Sequence, residues 1–345
     1  VGEITHFLVK CPIGRVTRPF PGTEKNRPWF RGKKRLAQFI LKQVSQESTK
    51  KSQQEYARKS VPSLTSVPML VKVVREKKFF TSNLLIETGD GMIAISLQSG
   101  SNGNCIYVEA DGVRLLFDAG ISGIQAEKRL AAHGRDIRQV DALIISHDHA
   151  DHIRCAGVFQ RKYGIPVYVT PKTLSAAESA CSLGCFTNVL HFRSGGTLRF
   201  GDVSVETIPT PHDGEDGAAF VVNAAGKRLG ILTDLGHVFE GLGRVVASLD
   251  AVFIESNYDP EMLTNGPYPP FLKRRIKGPG GHISNREAAE LLRAAGDGLK
   301  WACLAHLSEQ NNSPDIALRT HREVLSEAFP LHIASRYAAS GLFSV

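Results

Sequence analysis

The 345-residue chain is 42% apolar and 22% charged, a balance that suits a folded protein with a substantial core and excludes a disordered or collagen-like chain. Its formal charge of +8 is unevenly placed: residues 1–91 hold 18 Lys/Arg against 7 Asp/Glu, and the rest holds 24 against 27, so the basic excess belongs to the N-terminal quarter. Six cysteines form no C-x2-C pair, no apolar run reaches the roughly 18 residues of a membrane span, and the start lacks an apolar signal region, so the chain reads as a soluble, cytoplasmic protein with buried thiols and no membrane contact.

Residues 1–91 include PIGRVTRPFPGTEKNRPWFRGKKR and SQESTKKSQQEYARKS, too rich in Pro, Lys, Gln and Ser to bury much surface, and predict a basic extension of low order. Such a segment is either an arm that touches nucleic acid or sequence outside the functional domain, and the abrupt change at Met92 favours the second. A domain is therefore expected over 92–345. MIAISLQSGSNGNCIYVEADGVRLLFDAG (92–120) predicts strand, turn and strand about the turn-forming DG. Further strands are expected at 140–146, 166–170, 203–208, 218–223, 228–234, 250–256 and 301–306. GIQAEKRLAAHG, GVFQRKYG, TLSAAESACSLG and REAAELLRAAG predict helices, the last capped by Ser284 or Asn285 and stopped at Gly296. Strands with helices interspersed imply a layered α/β domain with helices outside two sheets; there is no internal repeat of fixed period, though the two halves could each supply a sheet.

The densest chemistry is SHDHADHI (146–153). His147 and His149 follow a strand, where residues two apart point the same way, so both imidazoles can address one point. Asp151 and His152 come where the chain should turn into the helix IRCAGVFQRKYG and can address a second point nearby. Histidine with carboxylate suits zinc and other borderline divalent ions. Three more donors stand at predicted strand ends: His212 in TPHDGEDGA, Asp234 in GILTDLGH and His306 in WACLAHLSEQNN. Any one of them alone would read as an ordinary loop residue; with four ligating side chains already in hand, together they read as the rest of a site.

In this order, H-x-H-x-D-H, a His after T-P, T-D-x-G and a last strand-end His resemble the metallo-β-lactamase-fold hydrolase superfamily across Met92–Val345. The blocks SGSNGNCIYVEA, TPHDGEDGAAF, ESNYDPEML, KGPGGHISN and LAHLSEQNN further resemble its YycJ/WalJ-type subgroup. The resemblance implies a four-layer αββα sandwich with a dinuclear site at one edge of the sheets. It implies that His147, His149 and His212 hold one metal, that Asp151, His152 and His306 hold the other, that Asp234 bridges, and that a hydroxide completes the bridge. Zinc is the first expectation for the two ions, with manganese or iron as alternatives. Asp118 of LLFDAG matches a motif whose carboxylate orients the ligand loops.

The ligand set is shared by thioester, lactone and phosphodiester hydrolases, so the substrate class has to be read elsewhere. His282 lies in the Gly-rich GPGGHISN before a predicted helix, and Glu255 ends a strand; the superfamily's nucleases use such a His, oriented by an acid, at the leaving group. A phosphodiester expels a poor alkoxide that a histidine can protonate, whereas a thiolate leaves unaided. Lys273, Arg274, Arg275 and Lys277 of FLKRRIKGPGG are expected in a loop over the site, where they would hold phosphates. The 72 positions from Asp234 to His306 leave no room for a large inserted nuclease domain, and the 60 from His152 to His212 contain no Gly/Pro-rich arm for transfer RNA. The reading is a dinuclear phosphodiesterase with His282, Glu255 and Asp151 in catalysis, and the resemblance implies a 5′-to-3′ exonuclease on double-stranded DNA, with DNA favoured over RNA. A thioester or lactone hydrolase of glyoxalase II type is the alternative, and a metal-dependent DNA-binding module the non-enzymatic one. Oligomeric state is left open.

Overall fold

The computed structural model describes residues 91–345, so the extension expected over 1–91 lies, but for Gly91, outside the described residues. Strand β1 (Ile93–Gln98) pairs antiparallel with β2 (Cys105–Ala110), and β2 with β3 (Val113–Phe117). The β2–β3 hairpin turns on Asp111 and Gly112, both at positive φ, which is the conformation that an Asp-Gly pair tolerates and that matches strand twist. Strands β4 (Ala142–Ile144), β5 (Val167–Val169) and β6 (Val189–His191) then add in parallel. Their connections carry α1 (Gly123–Ala131), the single turn α2 (Ala150–Ile153), α3 (Ala156–Tyr163) and α4 (Pro171–Ala180).

The second half repeats this plan. An antiparallel meander of β7 (Thr197–Phe200), β8 (Val203–Pro209), β9 (Ala218–Ala224) and β10 (Lys227–Leu232) is extended by parallel strands β11 (Ala251–Glu255), β12 (Trp301–Ala305) and β13 (Leu331–Ile333). Helices α5 (Leu242–Ala247), α6 (Pro260–Asn265), α7 (Pro270–Lys277), α8 (Asn285–Ala294) and α9 (Pro314–Arg322) belong to this half. Only β14 (Phe343–Ser344) crosses over, pairing with β1 at the edge of the first sheet. Each sheet has seven strands.

Side-chain alternation along the strands explains the layering. Ala94, Ile106, Val108, Leu115 and Phe117 of the first sheet share one buried cluster with Val205, Phe220, Val222, Ile231 and Phe253 of the second. The alternate residues face outward: Ile95, Leu97, Leu116 and Leu143 pack on Leu130 of α1 and Phe159 of α3. On the other side Val221, Val252, Ile254 and Leu304 pack on Val246 of α5 and Leu291 and Leu292 of α8. The result is an αββα sandwich with three apolar layers, and each fully buried Leu, Ile or Phe contributes roughly 1.5–3 kcal/mol. Helix α8 starts as expected: Ser284 Oγ accepts from Glu287 N, and Glu287 Oε2 accepts from Ser284 N, a reciprocal cap.

Two expectations are corrected. The run after His152 is not one helix, because the chain breaks at Cys155 (φ −107, ψ 2) between α2 and α3. FLKRRIKGPGG is not a loop over its first half. Residues 270–277 form α7, with Pro270 at its first position, where the missing N–H costs nothing, and only Gly278–Gly281 is irregular.

Candidate metal centre

β3 and β4 of the first sheet and β8, β10, β11 and β12 of the second end at one edge, and the loops leaving them carry every donor. Asp118, Asp234 and His306, just past β3, β10 and β12, are non-glycine residues at φ +64, +54 and +54. Such left-handed positions cost about 1–3 kcal/mol each and persist where surrounding bonds over-determine them. Those bonds are visible. Asp118 Oδ1 accepts from Ser146 N at 2.8 Å, and its Oδ2 accepts from Ser146 Oγ at 2.9 Å and from His152 Nδ1 at 2.7 Å. His306 N donates to Ser99 Oγ at 2.8 Å, and the His306 carbonyl accepts from Asn257 Nδ2 at 2.8 Å. Gly120 lets the chain after Asp118 pass against the carbonyl of Asp151, where a Cβ would stand 1.7 Å from that oxygen.

His147, His149 and His212 bring one ring nitrogen each within 4.8 Å of one another, as do Asp151, His152 and His306 with one donor atom each. Asp234 stands between the two sets: Oδ2 is 3.2 Å from His152 Nε2, and Oδ1 is 3.6 Å from His212 Nε2 and 3.4 Å from His306 Nδ1. The seven expected donors thus converge on one spot.

Whether this spot fits divalent ions can be tested on its own atoms. His147 Nε2 and Asp234 Oδ2 are buried without a well-formed hydrogen bond, although His152 Nε2 lies near the latter. His212 Nε2 stands 3.2 Å from His149 Nδ1, nitrogen against nitrogen. A buried imidazole nitrogen and a buried carboxylate oxygen left without partners are what ligands of cations look like, since buried polar groups otherwise find partners. The far ring nitrogens are already committed: His152 Nδ1–H to Asp118, and His212 Nδ1–H to the Gly281 carbonyl at 2.7 Å. That fixes the tautomers and leaves each Nε2 as a ligand. Burial, reinforced by the neighbouring imidazoles, holds His147 well below the usual histidine range, in the neutral form a metal needs. Burial also acts on His152, but Asp234, Asp118 and Asp151 outweigh it and raise it to about 9.

His282 lies alongside this cluster. Its Nδ1 is 2.6 Å from Glu255 Oε1, and its ring centroid is 4.9 Å from that of His212 and 5.3 Å from that of His306. Glu255 is fully buried, and its Oε2 accepts from Leu235 N at 3.0 Å and Ile283 N at 3.4 Å. Burial opposes its ionisation, but His282 and His306 overcome that and hold the carboxyl well below the usual range. The Gly-rich loop does more than carry His282. Three consecutive carbonyls, of Pro279, Gly280 and Gly281, accept from His237 Nδ1, Asp213 N and His212 Nδ1. At Gly281 a Cβ would stand 2.1 Å from the Ile276 carbonyl, so the turn from α7 to His282 requires glycine.

The basic residues divide. Lys273 Nζ and Lys277 Nζ bond to the carbonyl and Oγ1 of Thr264. Arg274 is exposed. Arg275 reaches the rim of the site, where its Nε and Nη2 grip Asp213 at 2.6 and 2.8 Å while Asp213 Oδ1 lies 3.4 Å from His149 Nε2. Sequence reasoning missed Asp213, and also Asn104, whose Nδ2 is 2.9 Å from His152 Nε2 and 3.4 Å from Asp151 Oδ2. Asn104 sits in the turn-forming SGSNGN, where nothing separates an amide that touches the site from one that merely shapes the turn. Asp213 was visible only as a neighbour of His212.

Two seven-stranded mixed sheets between helices, with these donors at the strand ends, define a metallo-β-lactamase fold. The family described as β-lactamase superfamily domain matches residues 113–306, and the chain belongs to it. Over 235 residues it is 37% identical to exodeoxyribonuclease WalJ of Streptococcus pneumoniae, covering 67% of this chain and 87% of that protein. It is 36% identical over 244 residues to exodeoxyribonuclease YycJ of Bacillus anthracis, covering 68% and 92%. Among solved structures, the metallo-β-lactamase fold protein YhfI from Bacillus subtilis matches with a TM-score of 0.59 at 17% identity, over 74% of this chain and 100% of that one, a likeness of fold alone. The fold implies divalent metal ions, and the His/Asp clusters are able to hold them. Among the described residues no helix is long and apolar enough to cross a membrane.

Proposed function

We propose that the chain is a dinuclear metal-dependent phosphodiesterase, and within that class a nuclease that shortens double-stranded DNA from its 5′ end. The observation that carries this reading is the dyad of His282 and buried Glu255, 2.6 Å apart, beside the donor cluster. A thioester hydrolase of glyoxalase II type has no use for such a dyad, because its thiolate departs without a proton donor. The names of the two exodeoxyribonucleases support DNA as the substrate.

His147, His149 and His212 would hold one ion, Asp151, His152 and His306 the other, with Asp234 common to both. Zinc is the first choice for so histidine-rich a set, ahead of manganese and iron. Bound, the two ions would supply Lewis-acid stabilisation of phosphoryl charge and a water acidified towards neutrality. The protein supplies the rest. Asp118 and the Gly281 carbonyl fix ring tautomers, and Asp151 holds the attacking water by geometry. Glu255, ionised and bonded to Nδ1, orients His282, whose Nε2 proton passes to the departing oxygen. Of the four basic residues, Arg274 and Arg275 take the substrate phosphates; Lys273 and Lys277 support α7. Cys105, Cys155, Cys181 and Cys303 are free thiols, which suits a reducing cytoplasm.

The test is digestion of a 5′-labelled duplex by the protein loaded in turn with zinc, manganese and iron, with a chelated control and a generic thioester in parallel. Progressive, metal-dependent loss of the duplex is expected. Thioester turnover without DNA cleavage would overturn the phosphodiesterase reading while leaving the metal cluster intact.

A further inference from the structure

Helix α7 packs by one face only. Ile276 is buried with Tyr258 and Leu263, and Leu272 lies against them. Phe271, Arg274 and Arg275, spaced i, i+3 and i+4, share another face. Phe271 is 53% exposed there, a large apolar ring that the packing of the helix does not use. Of the six exposed large hydrophobic residues among the described ones, Phe271 and Tyr337 are the aromatic pair, and Tyr337 commits its hydroxyl to Glu309 at 2.9 Å. Phe271 has no such tie, and it shares its helical face with Arg274 and Arg275.

This face is continuous with the metal centre. Arg275, one turn from Phe271, grips Asp213 through two bonds, and the same carboxylate is 3.4 Å from His149 Nε2 and 3.7 Å from His212 Nε2. A group lying over α7 is therefore one ion pair away from the donors. An aromatic face flanked by arginines is the combination that holds an unstacked base and its phosphates, the ring taking the base and the cations the backbone. A protein partner would be expected to meet a wider apolar patch than one ring.

Resting on the nuclease reading, we infer that the outer face of α7 is a nucleobase platform. Phe271 stacks on the terminal base of the strand being cut, unpaired from the duplex, while Arg274 and Arg275 hold the adjoining phosphates. Asp213 occupies Arg275 in the free protein, and a substrate phosphate takes its place. Binding thus delivers the first phosphodiester to the centre and selects ends over interior positions, because only an end releases a base cheaply.

The experiment compares KM for the metal-loaded wild type, Phe271→Ala and Phe271→Trp on a 5′-phosphorylated duplex and on the same duplex with an abasic 5′-terminal nucleotide. Stacking of one base spans about 5- to 150-fold in affinity, so Phe271→Ala should raise KM on the normal duplex by about tenfold. Phe271→Trp should restore it, and the abasic end should penalise the wild type but not the alanine variant. An unaltered KM for Phe271→Ala, or equal sensitivity of both proteins to the abasic end, would overturn the platform. Wild-type failure on both duplexes alongside thioester turnover would instead overturn the nuclease reading beneath it.

Discussion

The two sheets deliver their donors in different ways. The first places His147, His149, Asp151 and His152 in one loop after β4, braced by Asp118 from the neighbouring strand and by Asn104. The second spreads His212, Asp234, Glu255 and His306 over four strand ends, with His282 on a glycine turn. It braces them with buried amides: Ser256 Oγ donates to Asn285 Oδ1 at 2.6 Å, and Asn312 Nδ2 donates to Asn285 Oδ1 and the Ser256 carbonyl at 2.8 and 2.9 Å. A loop that carries four donors needs one carboxylate to set it. Donors that arrive on separate loops need a fixed floor, and a neutral hydrogen-bonded floor holds position without charge near the metals.

Changes in the first loop should therefore have the largest effect. Asp151→Ala and His152→Ala are each expected to lower kcat on DNA on the order of 10³-fold, the scale of losing a transition-state stabiliser, and to halve bound metal as measured by elemental analysis. Full rate in either variant would break the dinuclear account. On the second sheet His282→Ala should keep the metals and lose about 10²-fold or more in kcat on DNA, the scale of a general acid. Its defect should shrink on a nitrophenyl phosphodiester, whose leaving group needs no proton. An equal loss on both substrates would mean that His282 positions rather than protonates.

The same contrast decides what the sequence could reveal. SHDHADH announces itself because its donors are neighbours and strand periodicity says which way they point. His212, Asp234 and His306 were readable one step less directly, as polar residues at the ends of apolar runs. That each half of the chain could supply a sheet was open from the strand order, since most connections are local. What stayed hidden was supplied by tertiary contact: the left-handed backbone of Asp118, Asp234 and His306, the carbonyl triplet of Pro279–Gly281, and the amide floor of Asn257, Asn285 and Asn312. Short helices were missed where tertiary packing rather than length sustains them, although Asp259-Pro260, Pro270 and Ser313-Pro314 carry the N-terminal signals that would have placed α6, α7 and α9. A basic run next to His282 suggested four phosphate contacts, and only the folded structure separates Arg275 on Asp213 from Lys273 and Lys277 on Thr264.

A milder change sharpens the role of the brace. Asp118→Asn keeps the shape but replaces the carboxylate that accepts from His152 and Ser146. It should weaken metal binding about 10- to 100-fold, the usual range for a residue behind a ligand, with kcat largely recovered at saturating metal. Competition with a calibrated chelator measures it. If affinity is unchanged, the loop after β4 is set by its own turn and not by the neighbouring strand.

The smallest effect separates fold stability from the centre altogether. On the second sheet's side, His321 of α9 is fully buried; its Nδ1–H donates to the Ala317 carbonyl at 2.8 Å, and its Nε2 has no partner. Burial lowers it from 6.5 to about 4, so it is neutral in the fold and must desolvate a charge if protonated. The folded-state value lies below the unfolded one. Its contribution is therefore complete above pH 6.5 and is lost as pH falls towards 4, amounting to roughly 2–3 kcal/mol over that window. His321→Leu removes this titration, so the drop in unfolding temperature between pH 7 and pH 4.5 should be several degrees smaller than in wild type, with both proteins held metal-free. An identical drop would mean that the acid sensitivity of the fold arises elsewhere than at His321.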